Sequence, residues 1–549
     1  MVCFFGWASL TTAWSPDPGT SLIDITQLFS MIVLAFLAMQ LSRTPAFLLY
    51  LIPAILTGAA LTAMIGIGQS FGFNPLGVRT NANSLPATFL NPNHAAVYFD
   101  FIPWLAFAAI LFYQRGWLRW LAAVSLGLCV AYISVNTSRG SVFAFFVSGL
   151  FLTLLVLFKP QFRVWLKSTI LQSYKEITLA ILIPAIILLL PIFLPATEEA
   201  VDQWDTSLLE GQMDASSKYR LAMYLNSLPA ILDQPLQGIG YGGIRVGFQP
   251  YTSRVLPTGL RTEDTVLREL HSDPLQYVVE LGLPGGLLAI TIFFVLLRVG
   301  FNMITSPARD DNKLLILGFW LGLITGGTHA LIDFPLRLPV SAAMFWLFAG
   351  ILLGLGKSRL ICLTEKSNRT LRIVLASTGL IGLLFYLPFY HSYLKANHDL
   401  YDAIVNLKRN NCAAAARASE SGLERFASDF MLQTVHAQIY SFCNFPPQQK
   451  LAAMNRVIAL DPSNMRARLT RALLYNKAGR PELAIPEFEI VTEVLPHRPY
   501  AYAGLGDAAR LQKGNSPEAR HYYLAALKRK PDYKYAKQQL LILESDPQK

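Results

Sequence analysis

The chain has 549 residues, 53% of them apolar and 15% charged, with a mean hydropathy of +0.39. That is too apolar for a water-soluble fold of this length and marks a polytopic helical membrane protein. The formal net charge of +11 falls mostly in loops between apolar runs, without a basic stripe interleaved with aromatics, so nucleic acid is excluded as a partner.

The opening MVCFFGWASL is apolar but too short to span a membrane, and it lacks the basic start of a cleavable signal peptide. It reads as the end of a helix or a trimmed start. A spanning helix needs about 20 apolar residues, and ten runs qualify, near 24–41, 46–67, 93–113, 116–135, 141–158, 177–194, 276–298, 314–333, 338–356 and 373–391. Alternate short loops carry Arg43; Arg115 and Arg119; Lys159, Arg163, Lys167 and Lys175; Arg298, Arg309 and Lys313; then Lys357, Arg359, Lys366, Arg369 and Arg372. The other short loops hold Arg79, Arg139 and Arg337. Because cytoplasmic loops collect Lys and Arg, residues 1–23, the long loop 195–275 and the tail from about 392 are expected outside the cytoplasm. The expected organisation is a membrane domain over 1–391 containing that loop, then a helical domain over 392–549.

Polar residues stand out at the outer ends of these runs. In FLNPNHAAVYF, Asn91, Asn93 and His94 cap a helix; one asparagine is an N-cap and His94 is either a headgroup-level residue or a binding group. In VNTSRGSVFAFF, Arg139 is a lone guanidinium between two spans, either a functional cation or an arginine reaching lipid phosphates. The loop segment SSKYRLAMYLNSLPAILDQPLQGIGYGGIRVGF has a helix from Ser216 followed by a glycine-rich turn. Its Arg220 either grips an anion or pairs with Glu198, Glu199 or Asp214. In HSDPLQYVVELGLPGG a polar segment runs straight into a span, and His271 is either a base at the water–membrane boundary or a histidine bonded to Asp273 or to a helix start that Ser272 or Asp273 caps. His329 and Asp333, four residues apart in THALIDFPLRLP, are expected to pair at another outer helix end, either lining a cavity or as a structural pair that needs no ligand, with Arg337 just beyond.

Beyond Lys395 the sequence is Ala-rich and helical in pattern. Pro462, Pro496 and Pro531 recur at 34 and 35 residues, and Tyr475, Gly479, Ala484 and Phe488 recur in kind as Ala509, Gly514, Ala519 and Tyr523. This is the period of tetratricopeptide repeats: two good ones over about 465–531, and a degenerate one over about 400–462. Such an α-solenoid offers either a concave surface for an envelope protein or a packing platform without a ligand. Cys412 and Cys443 lie in this tail, as a disulfide between neighbouring helices or as two free buried thiols. There is no CxxC or Cys/His cluster of the kind that holds structural zinc.

Taken in order, WASLTTAWSPDPGTSL, FLNPNHAAVYF, TSRGS, YRLAMYLNSLPAILDQPLQGIGYGGI, HSDPLQYVVELGLPGG and THALIDFPLRLPVSAAMFWLFAGILLG resemble the O-antigen ligase and polymerase superfamily, which includes bacterial protein O-oligosaccharyltransferases. The resemblance covers about residues 7–356, and the repeat tail is similar to tails on many members. It implies an all-α, GT-C type glycosyltransferase of the bacterial inner membrane, with the long loop and tail periplasmic. It further implies an undecaprenyl diphosphate-linked glycan donor, no metal and no soluble cofactor. By motif, His271 is then the base and Arg220 and Arg139 hold the diphosphate; Asn93, His94 and His329 join them as substrate-binding candidates. The acceptor is lipid A-core, a growing glycan or a protein, with ligase-like transfer in the lead. Two other classes remain, a transporter of lipid-linked glycans and a membrane scaffold that recruits proteins through its repeats.

Overall fold

The structure, a computed structural model, describes residues 1–76, 85–89, 91–113, 116–136, 138–193, 215–251, 269–306, 312–356, 388 and 390–545, the last range without 428, 461, 463, 497 and 515. Every regular element among them is helical. After a short α1 (Val2–Thr11), six stretches among the described residues are long and apolar enough to cross a membrane: α2 (Pro18–Leu41), α3 (Pro45–Ser70), the pair α4 (Pro92–Phe99) and α5 (Ile102–Phe112), α6 (Gly116–Asn136), α7 (Arg139–Phe158) and α12 (Asp273–Thr305). The bent pair α8 (Pro160–Gln172) and α9 (Tyr174–Phe193), at 76° to each other, is a seventh if it is one span. The chain is a multi-pass membrane protein.

The expected spans 314–333 and 338–356 are shorter than anticipated: α13 (Lys313–His329) and α14 (Pro339–Leu355) have 17 residues each, and a turn occupies 330–338. The expected span 93–113 breaks at Asp100 and Phe101, where Pro103 has no N–H to return to the Phe99 carbonyl. The span expected over 373–391 lies, as far as 387, outside the described residues.

The helix α13 runs through the centre of the bundle, and every residue from Leu314 to Gly326 is buried. Its glycines make this possible. Gly318, Gly322 and Gly326 form a stripe against α5, where added Cβ atoms would meet Ala108 and the backbone of Trp104 and Phe101; small residues let helices approach in a membrane, where no hydrophobic force separates lipid from protein. On the other flank, Gly300 of α12 makes room for Trp320, whose indole N–H donates to the Leu297 carbonyl at 3.0 Å. In the same way Gly350 and Gly354 of α14 sit on the backbone of Ala35 and Met39 in α2.

The break in α12 explains the glycine-rich loop. Gly282 has φ 66° and ψ −177°, a left-handed conformation open to glycine alone, and Pro284 removes the N–H that would serve the Glu280 carbonyl. The freed groups are taken up by distant segments, as the membrane interior demands. Ile239 and Gly240, which follow α10 (Ala215–Asp233), donate to the carbonyls of Val279 and Glu280 at 3.0 and 2.9 Å. Leu283 donates to Pro235 at 2.8 Å, and the Trp7 indole donates to Leu281 at 2.8 Å. Gly238, with φ 63°, passes so close that a side chain would strike the Glu280 carbonyl. The start of α2 is tied to the same turn: Ser21 Oγ donates to the Tyr241 carbonyl at 2.6 Å, and Asp17, the N-cap of α2, accepts from the Thr20 N–H at 3.0 Å. Residues 1–23, the long loop and the start of α12 therefore meet at one end of the bundle.

The tail is a stack of paired helices: a helix over 390–408 (α15), α16 (Cys412–Arg425), α17 (Phe430–Phe442), α18 (Pro447–Leu460), α19 (Met465–Lys477), α20 (Pro481–Val494), α21 (Pro499–Lys513), α22 (Pro517–Arg529) and α23 (Lys534–Ser545). The repeat positions fall as the period requires. Ala484, Phe488, Ala519 and Tyr523 are fully buried; Gly504 faces the Phe488 ring and Gly506 the Tyr523 ring; Gly479 and Gly514 close α19 and α21. Cys412 and Cys443 form a disulfide with Cα atoms 5.9 Å apart. Ala396, Leu423, Phe426 and Leu432 cluster with Ile23 of α2, so the first tail helices pack on the end of the bundle that carries the polar cluster.

Candidate functional site

One carboxylate organises that end. Asp333 lies in the turn after α13; its side chain is 7% exposed. His271 Nδ1 is 3.2 Å from Asp333 Oδ1, Arg220 Nη2 is 3.8 Å from Oδ2, and His329 Nε2 is 4.0 Å from Oδ2. Burial alone would raise this carboxyl, but the hydrogen bond to His271 and the charges of His271, His329 and Arg220 outweigh it and hold the group below its ordinary value. An ionised carboxylate only accepts. Nδ1 of His271 therefore carries a proton, and whenever the ring is neutral its lone pair is on Nε2.

The chain prepares His271 for this position. Its φ is 54°, a region that side-chain-bearing residues rarely occupy and that collects at functional sites. Its carbonyl accepts from the Tyr224 hydroxyl at 2.6 Å. Its ring lies edge-on to Phe334 at 5.0 Å and to Tyr219 at 6.1 Å, and its side chain is 27% exposed. The partner expected in sequence, Asp273, is engaged elsewhere: its N–H reaches the Ala330 and Asp333 carbonyls at 2.9 and 3.2 Å, and its Oδ2 accepts from the Leu336 N–H at 2.8 Å. Ser272 occupies the N-cap of α12 without a side-chain capping bond. Asp273 thus clamps α12 onto the 330–336 turn and brings Asp333 to His271.

Of the other candidates, Arg220 faces Asp333; Glu198, Glu199 and Asp214 lie outside the described residues. Arg220 makes only a loose ion pair, and its Nε has no hydrogen-bond partner among the described residues. His94 is half-buried and packs edge-on to Phe334 at 5.9 Å. Asn91 is the N-cap of α4, its Oδ1 accepting from the Asn93 N–H at 2.8 Å, while Asn93 itself is exposed. Arg139 is exposed at the start of α7, behind the N-cap Ser138. Its neighbour Gly140 abuts the His329 ring, where a Cβ would collide. His329 is 2% exposed, and its Nδ1 lies 2.5 Å from Asp100 Oδ2. It sits behind Asp333.

A second, largely buried network braces the site from below. Arg337 Nη2 donates to Glu280 Oε2 at 2.5 Å, Nη1 lies 3.5 Å from Asp24 Oδ2, and the guanidinium sits over the rings of Tyr241 and Tyr277 at 4.7 and 5.1 Å. The Gln276 amide donates to Glu280 at 3.1 Å and to Glu269 at 3.0 Å, while its oxygen accepts from the Leu270 N–H at 3.0 Å. Burial, against the pull of Arg337, pushes Glu269 up to about 7. Asp273, Gln276 and Glu280 share one helix face. The sequence carries a signal for them, polar residues at positions i, i+3 and i+7 of an apolar helix. Asp100, 229 residues from His329, gave no local signal.

Among the described residues no group of three or more His, Cys, Asp or Glu side chains is placed to hold a metal ion. Residues 122–290 match the O-antigen ligase family, and residues 469–534 match the tetratricopeptide repeat. The first match runs from α6 through the glycine-rich turn and His271 to α12; both agree with the resemblance drawn from the motifs. No curated protein matches the chain.

Proposed function

From a chain that carries an O-antigen ligase segment ahead of a tetratricopeptide-repeat tail, we propose that it transfers a glycan from undecaprenyl diphosphate to an acceptor hydroxyl at the periplasmic face of the bacterial inner membrane. The observation that carries this reading is the convergence of His271, Arg220 and His329 on Asp333 within 4.0 Å. His271 Nε2 takes the proton of the acceptor hydroxyl as its oxygen attacks the anomeric carbon. A histidine, with an unperturbed pKa of about 6.5, suits that task near neutral pH. Asp333 accepts from Nδ1, fixes the tautomer and stabilises the imidazolium that forms, the part a carboxylate plays behind any catalytic histidine.

The bond that breaks is between the anomeric carbon and the diphosphate oxygen, and the leaving diphosphate gains negative charge as it departs. Arg220, loosely held and with no hydrogen-bond partner at Nε among the described residues, turns to it, and Arg139 approaches from the start of α7. Fixed cations of this kind count most where charge develops in the transition state. The carrier's apolar chain lies along the bundle, and a single displacement inverts the anomeric centre.

Lipid A-core is the leading acceptor, with a growing glycan or a protein as the others. Wild type, His271→Ala and Arg220→Ala, at matched membrane levels in a deletion host, should separate them when lipopolysaccharide ladders and glycoprotein mobility are both read. Loss of one product in both variants names the acceptor. Full transfer by either variant would sink the assignment.

A further inference from the structure

We propose that His329 and Asp100 are positioning residues that keep Asp333 charged and aligned with His271 when Arg220 leaves it for the donor diphosphate. The inference rests on the transfer reading and deepens it. His329 is 2% exposed, and each of its ring nitrogens faces a carboxylate: Nδ1 is 2.5 Å from Asp100, which is fully buried, and Nε2 is 4.0 Å from Asp333. A ring nitrogen faces a carboxylate favourably only as a donor, so the arrangement suits a doubly protonated ring. No open face remains for a sugar or a phosphate, and the ring is placed to act on Asp333 alone.

The need for it follows from Arg220. At 3.8 Å its contact with Asp333 is an ion pair without a hydrogen bond, and a guanidinium that engages a diphosphate gives up that contact. Among the described residues, Asp333 then keeps the Phe334 N–H, 3.0 Å from Oδ1, and the two histidines His271 and His329, but no guanidinium. A buried carboxylate stripped of its cation is costly and tends to take up a proton, and a protonated Asp333 no longer orients the His271 tautomer. His329 supplies a cation that the donor cannot draw away, because it ends a buried helix and is held by Asp100. The charged and titratable groups around it are Asp100 from the α4–α5 junction, Asp333 from its own turn and Arg220 from α10, while Gly140 at the start of α7 abuts the ring. No bond is made or broken at His329.

The test uses the full-length protein in lipid nanodiscs, as wild type, His329→Gln, and the double variant Asp100→Asn with His329→Gln, which keeps a neutral hydrogen-bonded pair should the single variant fail to fold. The pH dependence of His271 modification by diethyl pyrocarbonate is read by peptide mass spectrometry, alongside kcat and KM for the lipid-linked donor. Without donor, Arg220 stays beside Asp333 and keeps it charged, so removal of the His329 cation leaves Asp333 pulling harder on the His271 proton, and the modification midpoint should move to higher pH by about 0.5 in both variants. The value of kcat should fall roughly tenfold or more, with donor KM within about twofold. An unmoved midpoint, or wild-type kcat in the double variant, would overturn the proposal and leave His329 as packing. Absence of transfer by the wild type would sink the glycan-transfer reading instead, and the midpoint would still decide the role of His329.

Discussion

His271 and Asp333, 62 residues apart in sequence, meet at 3.2 Å because Asp273 bonds both ends of the turn that carries Asp333. The pair is held by backbone hydrogen bonds to a rigid helix start, so changing one side chain should not move the other. Asp333→Asn is expected to lower kcat by about 10²- to 10⁴-fold, the range for loss of a working base and its orienting carboxylate, with a smaller change in donor KM. Initial rates with purified protein check this, and a loss confined to KM would mean that Asp333 serves the donor instead.

The buried pair Arg337–Glu280 should behave non-additively. Arg337→Met leaves Glu280 and Asp24 without their cation and should cost about 3–5 kcal/mol of stability. Adding Glu280→Gln should return part of that loss. Thermal unfolding of the two single variants and the double variant in detergent measures the coupling; simple additivity would show that the two groups act independently.

Gly140 is required by the His329 ring. Gly140→Val should insert normally into membranes, since it adds apolar bulk in the first turn of α7, yet it should push His329 off Asp100 and cut transfer by about tenfold or more. Wild-type activity in this variant, at equal membrane level, would contradict the packing at that position.

The tail should be sensitive to acid through His436. This ring is 2% exposed, with Nδ1 2.9 Å from Ser419 Oγ, and burial lowers its pKa from 6.5 to about 4. Because the folded value is the lower one, the stabilisation is complete above pH 6.5 and is lost as pH falls through about 4. The difference is on the order of 3 kcal/mol. Amide exchange in α16 and α17, corrected for intrinsic rates, should rise over that window, and His436→Asn should abolish the dependence.

Reduction of the Cys412–Cys443 disulfide, which closes a loop across 31 residues, should destabilise the first tail helices by roughly 3–4 kcal/mol by the loop-entropy relation. Exchange in α16 to α18 with and without reductant reads this directly, and unchanged protection would place the stability of that region in its apolar core.

Composition and periodicity were enough for the bundle and the repeats, because both depend on local patterns: runs of apolar residues, and small or aromatic residues at a fixed period. His271 and Arg220 stood out as polar residues flanking spans, and the structure brings them to one carboxylate. Asp333 itself was read as half of a pair with His329, whereas the hydrogen bond of His329 goes to Asp100. No local pattern links those two, since their meeting is set by the glycine stripe that draws α13 against α5. Asp273, Gln276 and Glu280 look like ordinary polar residues at the mouth of a span until Arg337, Leu336 and Leu270 are placed opposite them. Asn93, read as a binding group, is exposed beside the cap that Asn91 provides.

The indole of Trp7 closes on the carbonyl of Leu281, 274 residues later in the chain. At a synthesis rate of roughly 5–20 residues per second, the first helix waits on the order of tens of seconds for its partner to leave the ribosome. Throughout that interval the exposed end of the bundle lacks both its seam and its histidine, and it closes only when the broken helix is inserted. Assembly of this end of the bundle is therefore a late event in biogenesis, completed when the segment from His271 to Gly282 joins the residues made first.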